Sequence, residues 1–468
     1  MAKKDKLRII PLGGVDEIGK NLTVIECGDD IIIVDCGSMF PHEDLLGIDL
    51  VIPDISYLIE NKNKIKGFVF THGHEDHIGA IPYVMSQLQA PLYGSKFTMS
   101  LVDIKLKEHR LPPISLNNVN PGQVIKLGCF SIKFVNVNHS IPGAMALIIK
   151  SPAGTVIHTG DFKIDYTPIK GSVTDLTAFA EASADGVLAL LCESTNVEHE
   201  GHTLSESKIA ETFETLFEEA YGRIVVAMFA SNVYRIQMAV NSAIRYGRKI
   251  CFIGRSMINV ARVSMEIGEL EIPEGWLIEP EEVDNYRDDQ ILIITTGSQG
   301  EPMAGLTRMA FGEHRKIRIR PTDTVILSSS PIPGNEKNTA RVLNQLYRCG
   351  AHVIYNSLAE VHSSGHACKE ELRIIHTLVK PKYFIPVHGE YRMLWQHAEL
   401  GEALGMPPAN IIIPETGQVI EMTEKALALG ETVQSGSLMV DGLCIGDVGN
   451  AVLRDRRHLS QDGIIIVA

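Results

Sequence analysis

The chain has 468 residues, of which 45% are hydrophobic and 21% are charged, with a formal net charge of −14. These values are typical of a globular enzyme with two or more domains, and the negative charge argues against a simple nucleic-acid binder without excluding one. No apolar run approaches the roughly 20 residues of a membrane helix, and no signal-peptide segment follows the N-terminus. The eight cysteines are scattered without a CxxC pair, so we expect a cytoplasmic protein with reduced thiols and no membrane association.

Up to about residue 200, short β-branched runs follow one another closely, with hairpin-like turns and few helices between them. The clearest runs are 22–27, 31–34, 68–70, 130–135, 146–149, 155–157 and 187–191. Such spacing predicts a largely antiparallel or mixed sheet that is packed by occasional helices. A helix is expected over 78–87.

The most informative segment follows the run 67–70 and contains His72, His74, Asp76 and His77 within six positions. Imidazole and carboxylate are the ligand types that suit zinc and similar divalent ions. A strand that ends at Phe70 would place the segment on the loop at its C-terminal end. The bland alternative is a solvated loop that happens to be rich in histidine, but such a loop would need no distant partners.

Three later candidates, His139, Asp161 and His388, each follow an apolar run and lie beside a small residue. A single buried histidine is more often a satisfied core residue than a ligand, but here the same context recurs. Counting ligands favours two ions: His72, His74 and His139 for one, Asp76, His77 and His388 for the other, and Asp161 as the bridge. Two ions roughly 4 Å apart can stabilise both the attacking and the departing oxygen at phosphorus, so the count favours phosphodiester hydrolysis.

After about residue 203 the pattern changes. A helix is predicted over 204–220, and the runs 224–229, 249–253, 291–295 and 324–327 then alternate with helices, which predicts a parallel, doubly wound sheet. Each run leads into a loop of small residues, such as Ala230, Ser231 and Asn232, where backbone N–H groups and the next helix can bind an anion. One such loop is weak evidence because loops of this kind are small and polar anyway, but four favour an anionic ligand.

The segment 361–366 precedes a predicted helix over 369–380 and the run 383–386 that leads to His388. A loop, helix and strand of this length can bring His366 to the same edge of the sheet as His388. His366 is then placed to give a proton to the leaving oxygen. Glu193, which follows the run 187–191, could orient that imidazole or the bridging water, although a helix cap or a salt bridge is about as plausible.

These residues together resemble the β-CASP branch of the metallo-β-lactamase superfamily, and most closely the ribonuclease J family. The resemblance covers essentially the whole chain. The matching positions are 12–14, 17–21, Asp35, 72–77, 139–142, 159–162, 193–196, 254–257, 297–302, 329–335, 362–366 and 386–392. The first histidine cluster alone would identify only the superfamily, whereas the later segments are far more specific.

The resemblance implies an α/β fold: a metallo-β-lactamase αββα sandwich with an inserted, doubly wound β-CASP domain, and RNA threading between the two. It implies hydrolysis of RNA from a 5′-monophosphate end in the 5′–3′ direction, together with internal cleavage, in rRNA processing and mRNA decay. The implied cofactors are two divalent metal ions, zinc or manganese. Three extra family motifs match Glu193, His366 and His388, so we expect Asp76, Glu193 and His366 to act in catalysis.

The resemblance also implies two further sites. A 5′-phosphate pocket would be formed by Ala230, Ser231, Asn232, His362, Ser363, Ser364, Gly365 and His366. A separate structural calcium site would correspond to Gly47, Asp49 and Asp441.

The expected domain limits are 1–205 for the first part of the metallo-β-lactamase domain, 206–351 for the β-CASP domain and 352–445 for the second part. Residues 446–468 are expected to be a linker towards a missing C-terminal domain, since related proteins continue and this chain stops in the apolar run 463–467. Single-stranded RNA is the expected substrate partner. A homodimer or higher homo-oligomer of the full-length protein, and RNA-decay protein partners, are further expectations.

Three other functions stay open at this point. A small ester, thioester or lactam substrate would suit the same metal site, but would not need the phosphate-suited insert. A DNA-directed β-CASP nuclease is closer, and activity on matched RNA and DNA strands would distinguish it because only RNA offers 2′-OH contacts. A non-catalytic RNA-binding or scaffolding subunit is disfavoured because all seven candidate ligands are present.

Overall fold

The computed structural model of the chain describes residues 6–42, 45–301, 303–331, 335–442, 444–446 and 448–462. Within these ranges, none of the helices has the length and apolar character that a membrane crossing requires.

The described chain forms 22 strands in four sheets. In chain order they are β1 (Leu7–Gly13), β2 (Leu22–Cys27), β3 (Asp30–Val34), β4 (Leu50–Pro53), β5 (Ile65–Val69), β6 (Leu92–Gly94), β7 (Leu116–Asn118), β8 (Val124–Leu127), β9 (Phe130–Asn136), β10 (Met145–Ser151), β11 (Gly154–His158), β12 (Ala189–Glu193), β13 (Ile224–Ala227), β14 (Lys249–Ile253), β15 (Ile291–Thr295), β16 (Thr324–Leu327), β17 (His352–Tyr355), β18 (Tyr383–Val387), β19 (Gln418–Met422), β20 (Leu427–Thr432), β21 (Ser437–Asp441) and β22 (Cys444–Ile445).

The α-helices within the described ranges alternate with these strands. They are α1 (Ser56–Glu60), α2 (Glu75–Ile78), α3 (Ile81–Met85), α4 (Lys96–Glu108), α5 (Leu176–Ala184), α6 (Glu206–Glu219), α7 (Val233–Arg245), α8 (Arg255–Ile267), α9 (Gly305–Ala310), α10 (Glu336–Arg348), α11 (Lys369–Val379), α12 (Tyr391–Ala403) and α13 (Asn450–Asp462).

Two large mixed sheets carry the first 200 residues and the segments that follow residue 380. The eight-stranded sheet has the order β20-β19-β1-β2-β3-β5-β6-β7, antiparallel as far as β3 and parallel from β3 to β7. The six-stranded sheet has the order β18-β12-β11-β10-β9-β8, antiparallel among β8 to β11 and parallel from β11 to β18. The predicted mixed sheet architecture is therefore confirmed.

The alternation of side chains along the strands produces the layers. On β3, Ile31 and Ile33 belong to the apolar cluster that includes Val84 of α3, whereas Ile32 and Val34 belong to the cluster between the two sheets. Successive side chains of a strand point to opposite faces, so one strand serves both layers.

The six-stranded sheet repeats this pattern on its own outer face. On β12, Leu191 lies in the cluster between the sheets, and Leu190 lies with Phe179 of α5 and Leu372 of α11. The order of layers is helix, sheet, sheet, helix, which confirms the predicted αββα sandwich.

The inserted sheet has five parallel strands in the order β14-β15-β13-β16-β17. On β13, Ile224 and Val226 cluster with side chains of α6 and α7, and Val225 and Ala227 cluster with side chains of α9 and α10. Helices thus cover both faces, which confirms the predicted doubly wound insert. The sheet continues through β17, past residue 351, and the domain limits themselves remain predictions.

The helix expected over 78–87 is wrong in extent, because α2 and α3 take its place. Pro82 lies in the first turn of α3 and has no N–H to donate to the carbonyl of Ile78, so one helix cannot run through. Gly79 follows the last residue of α2, and a larger residue does not fit there because its Cβ would lie 2.0 Å from Ser38 Oγ.

The C-terminal part of the described chain contributes β21, β22 and helix α13, and the two strands form a three-stranded antiparallel sheet with β4 in the order β22-β21-β4. Helix α13 lies within 446–468, the segment expected to be a linker. Residues 463–468 lie outside the described residues, as do 302 and 332–334 of the segments that carry the family resemblance.

Candidate metal centre and phosphate pocket

The candidate metal residues lie where strands from both large sheets end. Strand β5 of the eight-stranded sheet leads into the segment with His72 and His77, while β9, β11 and β18 of the six-stranded sheet lead to His139, Asp161 and His388. Side chains far apart in sequence meet because these strand ends face one another across the sandwich.

The first group consists of His72, His74, His139 and Asp161, whose ligand atoms all lie within 4.8 Å of one another. Nδ1 of His74 lies 3.1 Å from Nε2 of His72 and 3.1 Å from Nε2 of His139. Burial is the main cause that lowers the pKa of His74 and of His139 to about 3. Both rings are therefore neutral, which is the form of imidazole that binds metal ions.

The second group consists of Asp76, His77, Asp161 and His388, also within 4.8 Å. Oδ2 of Asp161 lies 3.3 Å from Nε2 of His77 and 3.3 Å from Nε2 of His388, and Oδ2 of Asp76 lies 3.5 Å from each. Asp161 belongs to both groups, so the structure brings together all seven residues that the sequence singled out.

These residues fit a divalent cation. His74 Nδ1 faces two other ring nitrogens at 3.1 Å, and a single ring nitrogen can satisfy only one of them by an in-plane hydrogen bond. Among the described residues, the buried Oδ1 of Asp161 has no hydrogen-bond partner. Convergent lone pairs and an unpaired buried carboxylate oxygen are what a cation would satisfy.

A second layer of contacts holds the rings in place. Nδ1 of His77 lies 2.7 Å from Oδ2 of Asp35. The Asp35 carboxylate accepts the N–H of Thr71 at Oδ1 and the Thr71 hydroxyl at Oδ2. Nδ1 of His139 lies 2.7 Å from the carbonyl oxygen of Gly365, where a Cβ would lie 2.6 Å from the ring. Such contacts fix which nitrogen is free to bind a metal.

Glu193 and His366 form an ion pair beside the two groups. Glu193 is the last residue of β12, and its Oε2 lies 2.7 Å from Nδ1 of His366 while Oε1 accepts the N–H of Phe162 at 2.8 Å. Burial alone would lower the pKa of His366, but the carboxylates beside it, Glu193 first and then Asp161 and Asp76, raise the pKa to about 9. Glu193 thus pairs with the imidazole and does not cap a helix, and its role in orienting that ring for catalysis stays a prediction.

The two halves of the predicted phosphate pocket are joined by a residue that the sequence did not indicate. Asn232 caps the N-terminus of α7, two residues after Ala230 and next to Ser231. Arg235, in the first turn of α7, lies with Nη1 2.8 Å from Nδ1 of His362 and donates from Nη2 to the carbonyl of Ser363 at 3.1 Å.

The rest of the 362–366 segment is held by other contacts. Oγ of Ser364 accepts hydrogen bonds from Asn196 Nδ2 and from the N–H of His366. Lys163 Nζ donates a hydrogen bond to Ser363 Oγ at 3.2 Å. Lys163 and Arg235 both contact the Glu206 carboxylate. No motif or periodicity marks Lys163, Glu206 or Arg235, because each lies at an ordinary position and is recruited only by the tertiary fold.

Comparison with known proteins adds independent findings. Family models match the metallo-β-lactamase superfamily over residues 15–191, the ribonuclease J β-CASP domain over 221–346, and the Zn-dependent metallo-hydrolase RNA specificity domain over 352–414. The chain is 44% identical to ribonuclease J of Thermus thermophilus, over 99% of this chain and 82% of that protein. It is 42% identical to ribonuclease J2 of Bacillus subtilis, over 100% of this chain and 84% of that protein. The chain belongs to the ribonuclease J family.

Membership of the ribonuclease J family confirms the expected enzyme class, a metal-dependent ribonuclease. A crystal structure of a protein of unknown function from Enterococcus faecalis V583 covers 89% of this chain and 100% of its own, with a TM-score of 0.64 and 20% identity. At that identity the likeness shows the fold alone.

The expected calcium site does not fit a bound cation in this arrangement. The guanidinium of Arg456, on α13, donates to Asp441 Oδ2 at 2.5 Å and to the carbonyl of Leu46 at 3.1 Å. A Cβ on Gly47 would lie 2.7 Å from Arg456 Nη1, and Asp49 Oδ2 accepts the N–H of Gly442. A calcium ion would have to displace the guanidinium, which already compensates the Asp441 carboxylate.

Calcium is therefore expected to leave the melting temperature of the unaltered protein unchanged. In Arg456→Ala, the Asp441 carboxylate loses its cation, and added calcium should raise the melting temperature by roughly 2–4 °C. Arg454→Ala is the matched control, because within the described ranges the ion-pair partner of Arg454 is its neighbour Asp455. Equal calcium responses in all three proteins would contradict the assignment of Arg456.

Proposed function

We propose that the chain hydrolyses single-stranded RNA at a centre of two divalent cations, as a 5′–3′ exonuclease that prefers 5′-monophosphate ends and as an endonuclease. Its role would be rRNA processing and mRNA decay. The position of Asp161 carries the proposal: one carboxylate oxygen lies 3.3–3.8 Å from ring nitrogens of both groups. A shared carboxylate is the arrangement that two-metal hydrolases use.

We assign His72, His74 and His139 to one cation, Asp76, His77 and His388 to the other, and Asp161 to both. Zinc is the favoured ion because nitrogen and carboxylate donors suit it and the matching RNA specificity domain is described as Zn-dependent; manganese is the alternative. When bound, such cations make water a stronger acid at neutral pH and neutralise charge that develops on the phosphoryl oxygens.

The proton for the departing oxygen would come from His366. Its Nδ1 is held by Glu193, so Nε2 is the nitrogen left to meet a substrate. The carboxylate keeps the ring protonated and correctly turned, which is the arrangement of a general acid with its orienting partner. The side chain of Asp76 is 29% exposed, whereas that of Asp161 is 2% exposed. We therefore assign to Asp76 the role of accepting the proton that the attacking water loses.

The terminal phosphate of RNA would bind between the N-terminus of α7 and the 362–366 segment. Helix α7 has 13 residues, and its positive N-terminal end favours an anion. Arg235 is paired with Glu206 and holds His362 and Ser363 at this end of the helix. The 362–366 segment ends at His366, the proposed acid, so a phosphate held at this segment lies near the bond to be cut. Proximity of this kind favours removal of nucleotides from a 5′ end. Internal cleavage, homo-oligomers and RNA-decay protein partners rest on the family resemblance.

Loss of the metal centre should abolish hydrolysis. In a time course on 5′-labelled, 5′-monophosphorylated RNA, we expect turnover by the unaltered protein, none after chelation and recovery on adding zinc or manganese. His74→Ala should remove activity while the circular dichroism spectrum is retained, because its ring faces His72 and His139 and not the apolar core. His352→Ala, at an exposed position on β17, is the matched control. Turnover by His74→Ala in metal-supplemented buffer would contradict the site.

Replacing the proposed acid should affect the chemical step more than binding. We expect His366→Ala to lower kcat by roughly 10²–10⁴-fold and to weaken RNA binding far less, as measured by filter binding. Glu193→Gln keeps a hydrogen-bonding side chain but removes the charge, so its loss in kcat should be smaller. Equal losses of binding and turnover in His366→Ala would argue against the proton-donor role.

The 5′ group should control exonucleolytic decay. We expect faster decay of RNA with a 5′-monophosphate than with a 5′-triphosphate or 5′-hydroxyl. Ser231→Asp adds negative charge to the pocket and should slow decay of monophosphorylated RNA by roughly 10- to 100-fold. Cleavage of circular RNA, which has no 5′ end, serves as the control. Indifference to the 5′ group in the unaltered protein would show that the pocket does not read it.

A further inference from the structure

Two buried histidines lie outside every site described so far. His397 on α12 and His376 on α11 are 0% and 5% exposed, and their Nε2 atoms are 3.1 Å apart. Nδ1 of His397 lies 2.9 Å from Oγ of Ser194, which is fully buried. A hydrogen-bonded chain therefore runs from α11 through α12 to the residue that follows Glu193.

Ser194 lies at the ends of two strands, β12, which ends at Glu193, and β18, which leads to His388. Strands β12 and β18 are parallel neighbours, and Glu193 is paired with Val387, the residue before His388. The N–H of Ser194 donates to the carbonyl of His388 at 3.3 Å, and Oγ1 of Thr195 donates to the same carbonyl at 3.1 Å. The turn after Glu193 thus holds the backbone of His388 through two hydrogen bonds to its carbonyl.

The backbone of His388 needs such support. His388 has φ +53°, in the left-handed region that residues other than glycine rarely adopt. Helix α12 begins at Tyr391, directly after this turn, and returns His397 to Ser194. The contacts form a closed ring: His388 to the 194–195 turn, to His397, and back along α12 to His388.

We propose that His397 is a positioning residue, which holds the Ser194 turn and thereby sets Glu193 and His388 relative to each other across the metal centre. The inference rests on the proposed roles of Glu193 and His388. Helix α12 would then position the metal centre through His397, in addition to packing against the sheet.

The apolar surroundings support a specific role. Phe384 lies edge-on to both rings, with centroids 4.5 Å from His376 and 4.7 Å from His397. In such a layer a leucine would pack without the cost of burying polar atoms. Burial lowers the pKa of His376 to about 4 and the pKa of His397 well below its usual range. Both rings stay neutral near pH 7, so the chain is a fixed support and not a pH switch.

The test separates the two sides of the His397 ring. Asparagine places an amide near the Nδ1 position and can still reach Ser194, whereas glutamine places its amide near the Nε2 position and reaches His376. Leucine reaches neither. Phe384→Leu is the packing control, since it loosens the same apolar layer and leaves the contact between His397 and Ser194.

We expect His397→Leu and His397→Gln to lower kcat on 5′-monophosphorylated RNA by roughly 10- to 100-fold, the cost of misplacing reacting groups by about 1 Å. KM should change little, because the proposed phosphate pocket is held by other contacts. His397→Asn should keep most of the activity. Zinc affinity, measured with a chromophoric chelator, should fall in the Leu and Gln variants and not in Asn, because His388 would be displaced. Phe384→Leu should lower the melting temperature without this loss of kcat.

Equal kcat values for the Asn and Gln variants would overturn the inference, and so would an equal kcat loss in Phe384→Leu. If His397→Leu fails to fold, the comparison of Asn with Gln still decides. Absence of metal-dependent RNA hydrolysis in the unaltered protein would reject the proposed function instead. In that case zinc affinity tests the role of His397. Weaker zinc binding by His397→Gln than by His397→Asn supports the role, and equal binding by the two variants overturns it.

Discussion

A single buried carboxylate, Asp161, is the constraint on which the rest of this structure depends. Its Oδ2 lies within 3.8 Å of a ring nitrogen from each of five histidines: His72, His77, His139, His366 and His388. An ionised carboxylate that is 2% exposed is costly to bury unless positive charge compensates it. Asp161 and neighbouring carboxylates raise the pKa of His77 and of His366 against the effect of burial, so these two rings compensate part of the charge. His74 and His139 stay neutral, and bound cations would supply the positive charge that those rings do not.

This requirement explains why both sheets are needed for function. One sheet contributes the segment with His72 and His77, and the other contributes His139, Asp161 and His388 from three strand ends. The apolar cluster between the sheets, with Val34 and Val69 on one side and Leu191 on the other, sets their separation. Changes in that cluster therefore act on the metal centre through distance, even where they leave every ligand in place.

Much of the fold and of the metal centre could be predicted because the signals are local. The strands at 22–27 and 249–253 are confirmed to the residue, and each candidate ligand stands directly after an apolar run. Arg235, His397 and Arg456 could not be found in this way. Their roles depend on partners 127, 203 and 15 residues away, and their surroundings in sequence are those of ordinary helices. The predicted extent of the helix over 78–87 is wrong because Pro82 interrupts the apolar pattern and begins a new helix.

The net charge of −14 is compatible with an RNA substrate because solvent screens much of the negative charge. Many carboxylates lie on exposed helix faces, such as Glu211 on α6 and Glu402 on α12, where water and salt screen them. Arg235 and Lys163 are almost fully buried beside the 362–366 segment. The carboxylate of Glu206 contacts both of them, so they hold the segment in place and add little net positive charge. Divalent cations at the Asp161 centre would add positive charge that a residue count omits. The charge of such cations, and not the total charge of the chain, would then decide whether a phosphodiester can approach the centre.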